Sequence, residues 1–325
     1  MAAPTARRLA LDPPGRRGGA ARPLPRGPGR PEPEAGGPGI SEMRTAGPGP
    51  FLLASLTATV GLLATYLFFV RTTTGQYIDE SALVESVALY GAAGKATLRF
   101  LDMMPALSVV AAAVALGYAA IFRGRWFAAL VAVAAAAGAN ITTQVLKADL
   151  LTRPFRGVET LTENSLPSGH TTLAASAAAA VFLVASPRWR PFLAFVGSTF
   201  AVASGASTLV NQWHRPADVV AAFLVVAAFM APAGWLVMRV GWRWNAWDGP
   251  GAHWASSHAW LALPVVGGMV AAAGAAVALV RIAPLAGQEA STTNYFWAGC
   301  ALIVITGYLL GVGAAWLFAG AARRR

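Results

Sequence analysis

Two histidines and an aspartate stand out in this 325-residue chain because an apolar protein has little structural need of them. His214 and Asp218 are four residues apart with Pro216 between them, and proline suits the first turn of a helix. On a helix that spacing puts imidazole and carboxylate on one face. The carboxylate can hold one ring N–H, fix the tautomer and stabilise a charged or phosphorylated ring, leaving the other nitrogen free as nucleophile or base. The plainer alternative is a His–Asp cap at a helix end.

Pro167-Ser168-Gly169-His170 supplies a second piece. Ser168 can cap a helix, Gly169 lets an oxyanion approach the backbone, and the first free N–H groups of the helix form a site suited to phosphate. His170 then stands where it can donate a proton to a leaving oxygen. Arg153 and Arg156 offer planar donors for phosphate oxygens, and Lys147 a more compact charge. Together these groups describe phosphoryl transfer through a phosphohistidine. Asp149, Glu159 and Glu163 match no metal-ligand spacing, so no metal or other cofactor is expected. His253 and His258 lie elsewhere, in a Trp-rich stretch, and receive no role.

The elements that must position these groups are written in the composition. The chain is 56% hydrophobic and only 12% charged, about half the charge of an ordinary soluble domain. Eight apolar runs, near 51–70, 105–122, 126–146, 170–187, 191–210, 217–238, 259–280 and 296–320, are each about long enough to cross some 30 Å of hydrocarbon. The fold expected is all-α, a polytopic transmembrane helical bundle of about eight spans. Ala, Gly, Ser and Thr enrich the runs, as close helix packing in lipid favours, and Gly307 and Gly311 form one small-residue pair. The single cysteine, Cys300, excludes an intrachain disulfide, a Cys-rich zinc site and an iron–sulfur cluster.

The net charge of +11 divides unevenly across such a bundle. Alternating the spans puts seventeen basic residues on the side of the N-terminus and eight on the other. The positive-inside rule then places both termini in the cytoplasm and the two candidate loops outside. Basic residues fragmented among apolar segments speak for orientation in a bilayer rather than for nucleic acid. Lys147, Arg153, Arg156 and Arg215 fall on the disfavoured outer side, where a phosphate site explains them better than flanking charge does. Heavy use of Ala, Gly and Arg over Lys suits a GC-rich bacterium, and with it a plasma-membrane location.

Four regions follow. Residues 1–50, with eight arginines and eleven prolines, read as a disordered basic tail, in which Met43 offers a second start. Residues 51–104 hold the first span and an outer interfacial helix at 73–104, favoured over a lid because that stretch is too polar to span. Residues 105–238 form the catalytic core, and 239–325 a Trp-rich cytoplasmic connection with two last spans.

These motifs resemble the three-part signature of the type 2 phosphatidic acid phosphatase superfamily, the lipid phosphate phosphatases related to vanadium haloperoxidases. That signature reads Lys, six residues, Arg-Pro; then Pro-Ser-Gly-His; then Ser-Arg, five residues, His, three residues, Asp. The second block is intact at Pro167 to His170, and Ser207, His214 and Asp218 are in register for the third. The likeness covers roughly 126–238. It implies that His214 attacks phosphorus, Asp218 orients it, and His170 protonates the leaving group and later activates water. Arg153, Ser168, the Gly169 amide and Lys147 would hold the phosphate oxygens of a membrane lipid phosphate without a metal. The implied activity is hydrolysis, with transfer to another acceptor or lipid-phosphate binding without catalysis as alternatives. The chain departs from the pattern twice: Lys147 is five residues before Arg153 instead of six, and Thr208 replaces the second phosphate-binding arginine. Arg156 or Arg215 would then have to fill that space.

Overall fold

Ala-rich runs with no internal breaks form long helices, and the computed structural model, which describes residues 47–159, 164–282 and 293–324, is helical almost throughout. The basic tail up to residue 46, with Met43, and Glu163 lie outside the described residues. Helix α1 (Gly49–Thr65) continues through a wide turn to Val70; α2 (Thr73–Glu85) and α3 (Val87–Ile121) follow. Helix α4 (Trp126–Val145) ends in a second wide turn, Leu146–Leu150. Then come α5 (Gly169–Val184), α6 (Arg190–Val210), α7 (Pro216–Val240), α8 (Ala259–Ile282) and α9 (Asn294–Ala321).

Seven of these helices are long and apolar enough to cross a membrane. The fourth expected span, α5, is a shorter apolar helix of 16 residues, about 24 Å at 1.5 Å per residue. Helices α3, α4, α6 and α7 pack around it, so its length is matched to protein neighbours rather than to hydrocarbon. The small-residue pair on α9 is used as expected. A Cβ at Gly307 would collide with Val202, and one at Gly311 with Ser198, both on α6.

Residues 73–104 depart from the surface helix that their polarity suggests. A break at Ser86 divides the stretch, and its second half is the start of α3, which runs unbroken through residue 105. The first half, α2, packs on α9 and α7 and buries Gln76, Asp79 and Glu80. Glu85 fixes it by accepting a hydrogen bond from the Phe296 amide at 2.9 Å. Its charged residues face inward, where the polar groups of the candidate site wait.

At the opposite end of the bundle aromatic residues gather. Trp254 meets Trp189 and Phe192 with ring centroids 5.2 Å apart, and Trp260 meets Phe192 at 5.0 Å. Two arginines counted above only as orienting charges are buried here. Arg125 lies 4.0 Å from the Trp244 ring centre and donates to the Val184 carbonyl at 2.8 Å. Arg190 lies 4.7 Å from the Phe318 ring and donates to Asn245 Oδ1 at 2.7 Å. A planar guanidinium can stack on a ring while donating hydrogen bonds in its own plane, which suits arginine rather than lysine. A two-residue parallel pair, β1 (Ala246–Trp247) with β2 (Arg323–Arg324), closes this end.

Gly307→Leu should overpack the α6–α9 contact and lower stability by about 1–3 kcal/mol. Thermal unfolding in detergent checks this, with Gly268→Leu, at an open position on α8, as the unaffected control.

Candidate active site

Antiparallel connectivity brings the α4–α5 loop, the α6–α7 loop and α2 to one end of the bundle. The α6–α7 loop is tight. Gln212 adopts a left-handed conformation with φ 60°, uncommon for a residue with a side chain. The turn lets the amides of Trp213 and His214 donate back to the Thr208 carbonyl, at 2.9 and 3.4 Å. Asn211 ties the loop to α3 by donating to Thr97 Oγ1 at 2.8 Å. Helix α7 then starts at Pro216, and the Asp218 side chain accepts from the Arg215 amide at 3.1 Å, capping the helix and facing the histidine together.

His214 Nδ1 lies 3.2 Å from Asp218 Oδ2, and with a carboxylate acceptor there the ring N–H belongs on Nδ1 and the free lone pair on Nε2. Ser165 also donates to Asp218 Oδ2, at 2.6 Å, and receives in turn from Arg215 Nη1 at 2.9 Å. Arg215 Nε donates to Glu80 Oε2 at 2.6 Å. One chain of bonds thus runs from α2 through Arg215 and Ser165 to the carboxylate that orients His214. The His214 side chain is 8% exposed and that of Asp218 is fully buried, so the geometry is held by packing as well.

Pro167 to His170 lead into α5 as expected. Ser168 caps the helix, its Oγ accepting from Thr171 N at 3.4 Å and Thr171 Oγ1 at 3.0 Å, which leaves its own proton to give. Its amide donates to the Asp218 carbonyl at 2.9 Å, locking the two motifs together. His170 packs its ring against Trp213, centroids 5.2 Å apart, and stands within electrostatic reach of His214 and Lys147. A Cβ at Gly169 would meet only Gln144 Nε2, at an ordinary 3.5 Å. The protein itself therefore does not need glycine there.

Arg153 is placed by α1 and α2. Tyr66 donates to the Thr152 carbonyl at 3.0 Å, and Gln76 to the Pro154 carbonyl at 2.7 Å, pinning the loop on both sides of it. The Arg153 side chain is 1% exposed, yet its Nε, Nη1 and Nη2 have no hydrogen-bond partner among the described residues. The nearest carboxylate oxygen, Glu80 Oε2, is 4.0 Å from Nη2. Burial and then the charge of Arg215 both work against its protonated state. A buried cation with all its donors idle is completed by an anion.

Lys147 sits half-buried in the wide turn that ends α4, the kind of helix irregularity often found at functional sites. Three further candidates stand differently in the structure. Arg156 is exposed on the loop and makes no hydrogen bond or ion pair among the described residues. Thr208 is fully buried and its hydroxyl donates to the Gly205 carbonyl at 2.7 Å, so it presents no donor to a phosphate. Arg215 does not replace the missing arginine freely, because Glu80 holds its Nε.

The residues missed from sequence are Gln76, Asp79, Glu80, Ser165 and Trp213. Adjacent carboxylates in so apolar a chain were the available signal, but the polarity of their segment pointed to a surface. Asp79 accepts from the Ala217 amide at 2.9 Å. Burial, with the charge of Asp218 nearby, pushes its carboxyl up to about 8. The folded protein then keeps a proton that the unfolded chain gives up near pH 4, and stability falls as pH rises across that window.

The melting temperature should therefore decline between pH 5 and pH 8, and Asp79→Asn should flatten that decline. Gly169→Ala should leave melting unchanged while weakening retention of inorganic phosphate or vanadate about tenfold or more, measured by calorimetry in detergent. No curated protein and no solved structure matches the chain. Residues 128–246, which carry every one of the motif residues just described, match the model of the PAP2 superfamily, the type 2 phosphatidic acid phosphatases.

Proposed function

We propose that this protein is an integral membrane phosphatase that hydrolyses a lipid phosphate or diphosphate at the extracytoplasmic face, through a phosphohistidine and without a metal. The superfamily supports a phosphoester hydrolase in a membrane-helical protein. The observation that carries the finer reading is Arg153, buried with its donors idle, at the same end as a carboxylate-oriented histidine and a helix N-terminus.

In this mechanism a phosphate settles between Arg153, the Ser168 hydroxyl and the first amides of α5. His214 Nε2 attacks phosphorus and forms an N–P bond as the bond to the lipid oxygen breaks. His170 gives its proton to that oxygen, releasing the alcohol. Asp218 stabilises the charge left on the His214 ring. His170, now neutral, takes a proton from water, whose oxygen attacks phosphorus and frees His214. Lys147 adds positive charge near His170. The charge lost at Thr208 leaves one phosphate oxygen less well held and makes the enzyme slower than a set of two guanidiniums would allow.

A lipid suits this site because its head group reaches the end of the bundle while its tail stays among the helices. The excess of basic residues on the N-terminal side supports termini in the cytoplasm and a site facing outward. Transfer of the phosphoryl group to a second lipid uses the same first step and differs only in the acceptor.

Purified protein should release phosphate from a lipid phosphate in the presence of chelator, and His214→Ala should lower the rate at least a thousandfold, in the range seen for removal of a catalytic nucleophile. Asp218→Asn should lower kcat with little change in KM. Equal activity of His214→Ala and the unaltered protein would remove the nucleophile assignment.

A further inference from the structure

Helices α4 and α5 pack together below the candidate site and are joined there by a ladder of polar side chains. Asn140 donates to Ser176 Oγ at 2.9 Å, and nearer the site Thr143 and Thr172 share a hydrogen bond of 3.0 Å. The next level brings Gln144 to Gly169, where α5 has no side chain to meet it. The lower members are spent on the bundle: Asn140 also donates to the Ala136 carbonyl at 2.8 Å, and Thr143 and Thr172 are fully buried. Gln144 is exposed and makes no hydrogen bond among the described residues.

Gln144 Nε2 lies 3.5 Å from the point that a Cβ on Gly169 would occupy, and no other atom comes within 4 Å of that point apart from the chain next to the glycine. The space adjoins two backbone donors that the fold leaves unused. Ser168 takes the Thr171 amide with its Oγ and the Thr172 amide with its carbonyl, while the amides of Gly169 and His170 find no acceptor among the described residues. Free amides at the start of a helix favour an anion. An anion oxygen seated over Gly169 would need only a small torsion of the Gln144 side chain to come within hydrogen-bond distance of Nε2. Lys147 follows three residues later and stands within electrostatic reach of His170, so the end of α4 turns one neutral and one charged donor toward the same helix start.

We propose that Gln144 is a further phosphate-binding residue of this site: its side-chain amide donates to the substrate oxygen that lies over Gly169, restoring one of the hydrogen bonds lost with the arginine expected at position 208. The proposal rests on the phosphatase reading for its substrate. A carboxamide brings no charge and no bidentate fork, so it holds the oxygen in place without matching the stabilisation a second guanidinium would give. Its exposure also sets it apart from the rungs below. Removing its donor leaves no buried group orphaned, and the fold has no need of it.

The test measures orthovanadate binding to the full chain in detergent micelles by calorimetry, with melting temperature followed in parallel. Gln144→Met keeps the length of the side chain and removes the donor, and should raise Kd about tenfold, the size of a lost hydrogen bond to a charged group. Gln144→Glu sets a negative charge against the anion and should raise Kd further, whereas Gln144→Arg should bring it to or below that of the unaltered protein. Leu130→Ala, exposed and remote on the same helix, is the control and should change nothing. Melting temperature should stay the same throughout the Gln144 series. Equal Kd in the unaltered protein, Gln144→Met and Gln144→Glu would overturn the proposal, as would a loss of binding that tracks a fall in melting temperature. With dodecyl phosphate as substrate, Gln144→Met should lower kcat/KM by the same factor as it weakens vanadate. Vanadate held in the expected order of affinities, with no phosphate released from any lipid phosphate, would remove the phosphatase reading and leave the role of Gln144 standing. No binding of vanadate by the unaltered protein would overturn both.

Discussion

A guanidinium cannot be left alone inside an apolar bundle, and the arrangement of this protein follows from that constraint. Arg215 is 1% exposed and Arg153 has a side chain equally hidden. Each must find a negative partner or stay costly by several kcal/mol. Arg215 finds Glu80, and through Ser165 it reaches Asp218. Arg153 is left with an ion pair stretched to 4.0 Å and with donors that bond to nothing. The asymmetry between these two neighbours leaves one guanidinium engaged and the other with its donors idle. Helix α2, the Ser165 turn and the start of α7 are all held in register by the pairing of the first, and the second stays buried with its donors unspent.

The same logic explains how much of the molecule could be read from its sequence. Spans were legible because long apolar runs admit few other outcomes, and the motif residues because histidine and aspartate flank a proline that starts a helix, although His214 itself stands in the loop two residues before α7. Helix α5 was read as an ordinary span, since hydrophobicity does not tell a helix surrounded by lipid from a shorter one surrounded by helices. Helix α2 was harder still. Its polarity signals water to any reading by composition, yet Gln76, Asp79 and Glu80 are buried because their partners, Arg215, the Pro154 carbonyl and the Ala217 amide, come from loops 70 to 140 residues away. Only the folded chain brings the two sets together.

Thr208 illustrates a different limit. Judged by alignment to a pattern, it is a weakened phosphate ligand. In the structure its hydroxyl belongs to its own helix and its carbonyl anchors the amides of Trp213 and His214. The backbone at this position shapes the loop that carries His214. A residue type can reveal lost charge, but the use made of a backbone carbonyl is not written in side-chain identity.

The boundaries of the matched segment also matter. Residues 128–246 contain both histidines, yet the carboxylate that neutralises Arg215 and the amide that pins Pro154 lie on α2, well before it. The matched segment is therefore not a self-sufficient cassette. Moved into another helical scaffold without α2, it would arrive with two unanswered guanidiniums and a slack loop. Chimeras among such proteins would have to exchange the strap and the core as one piece.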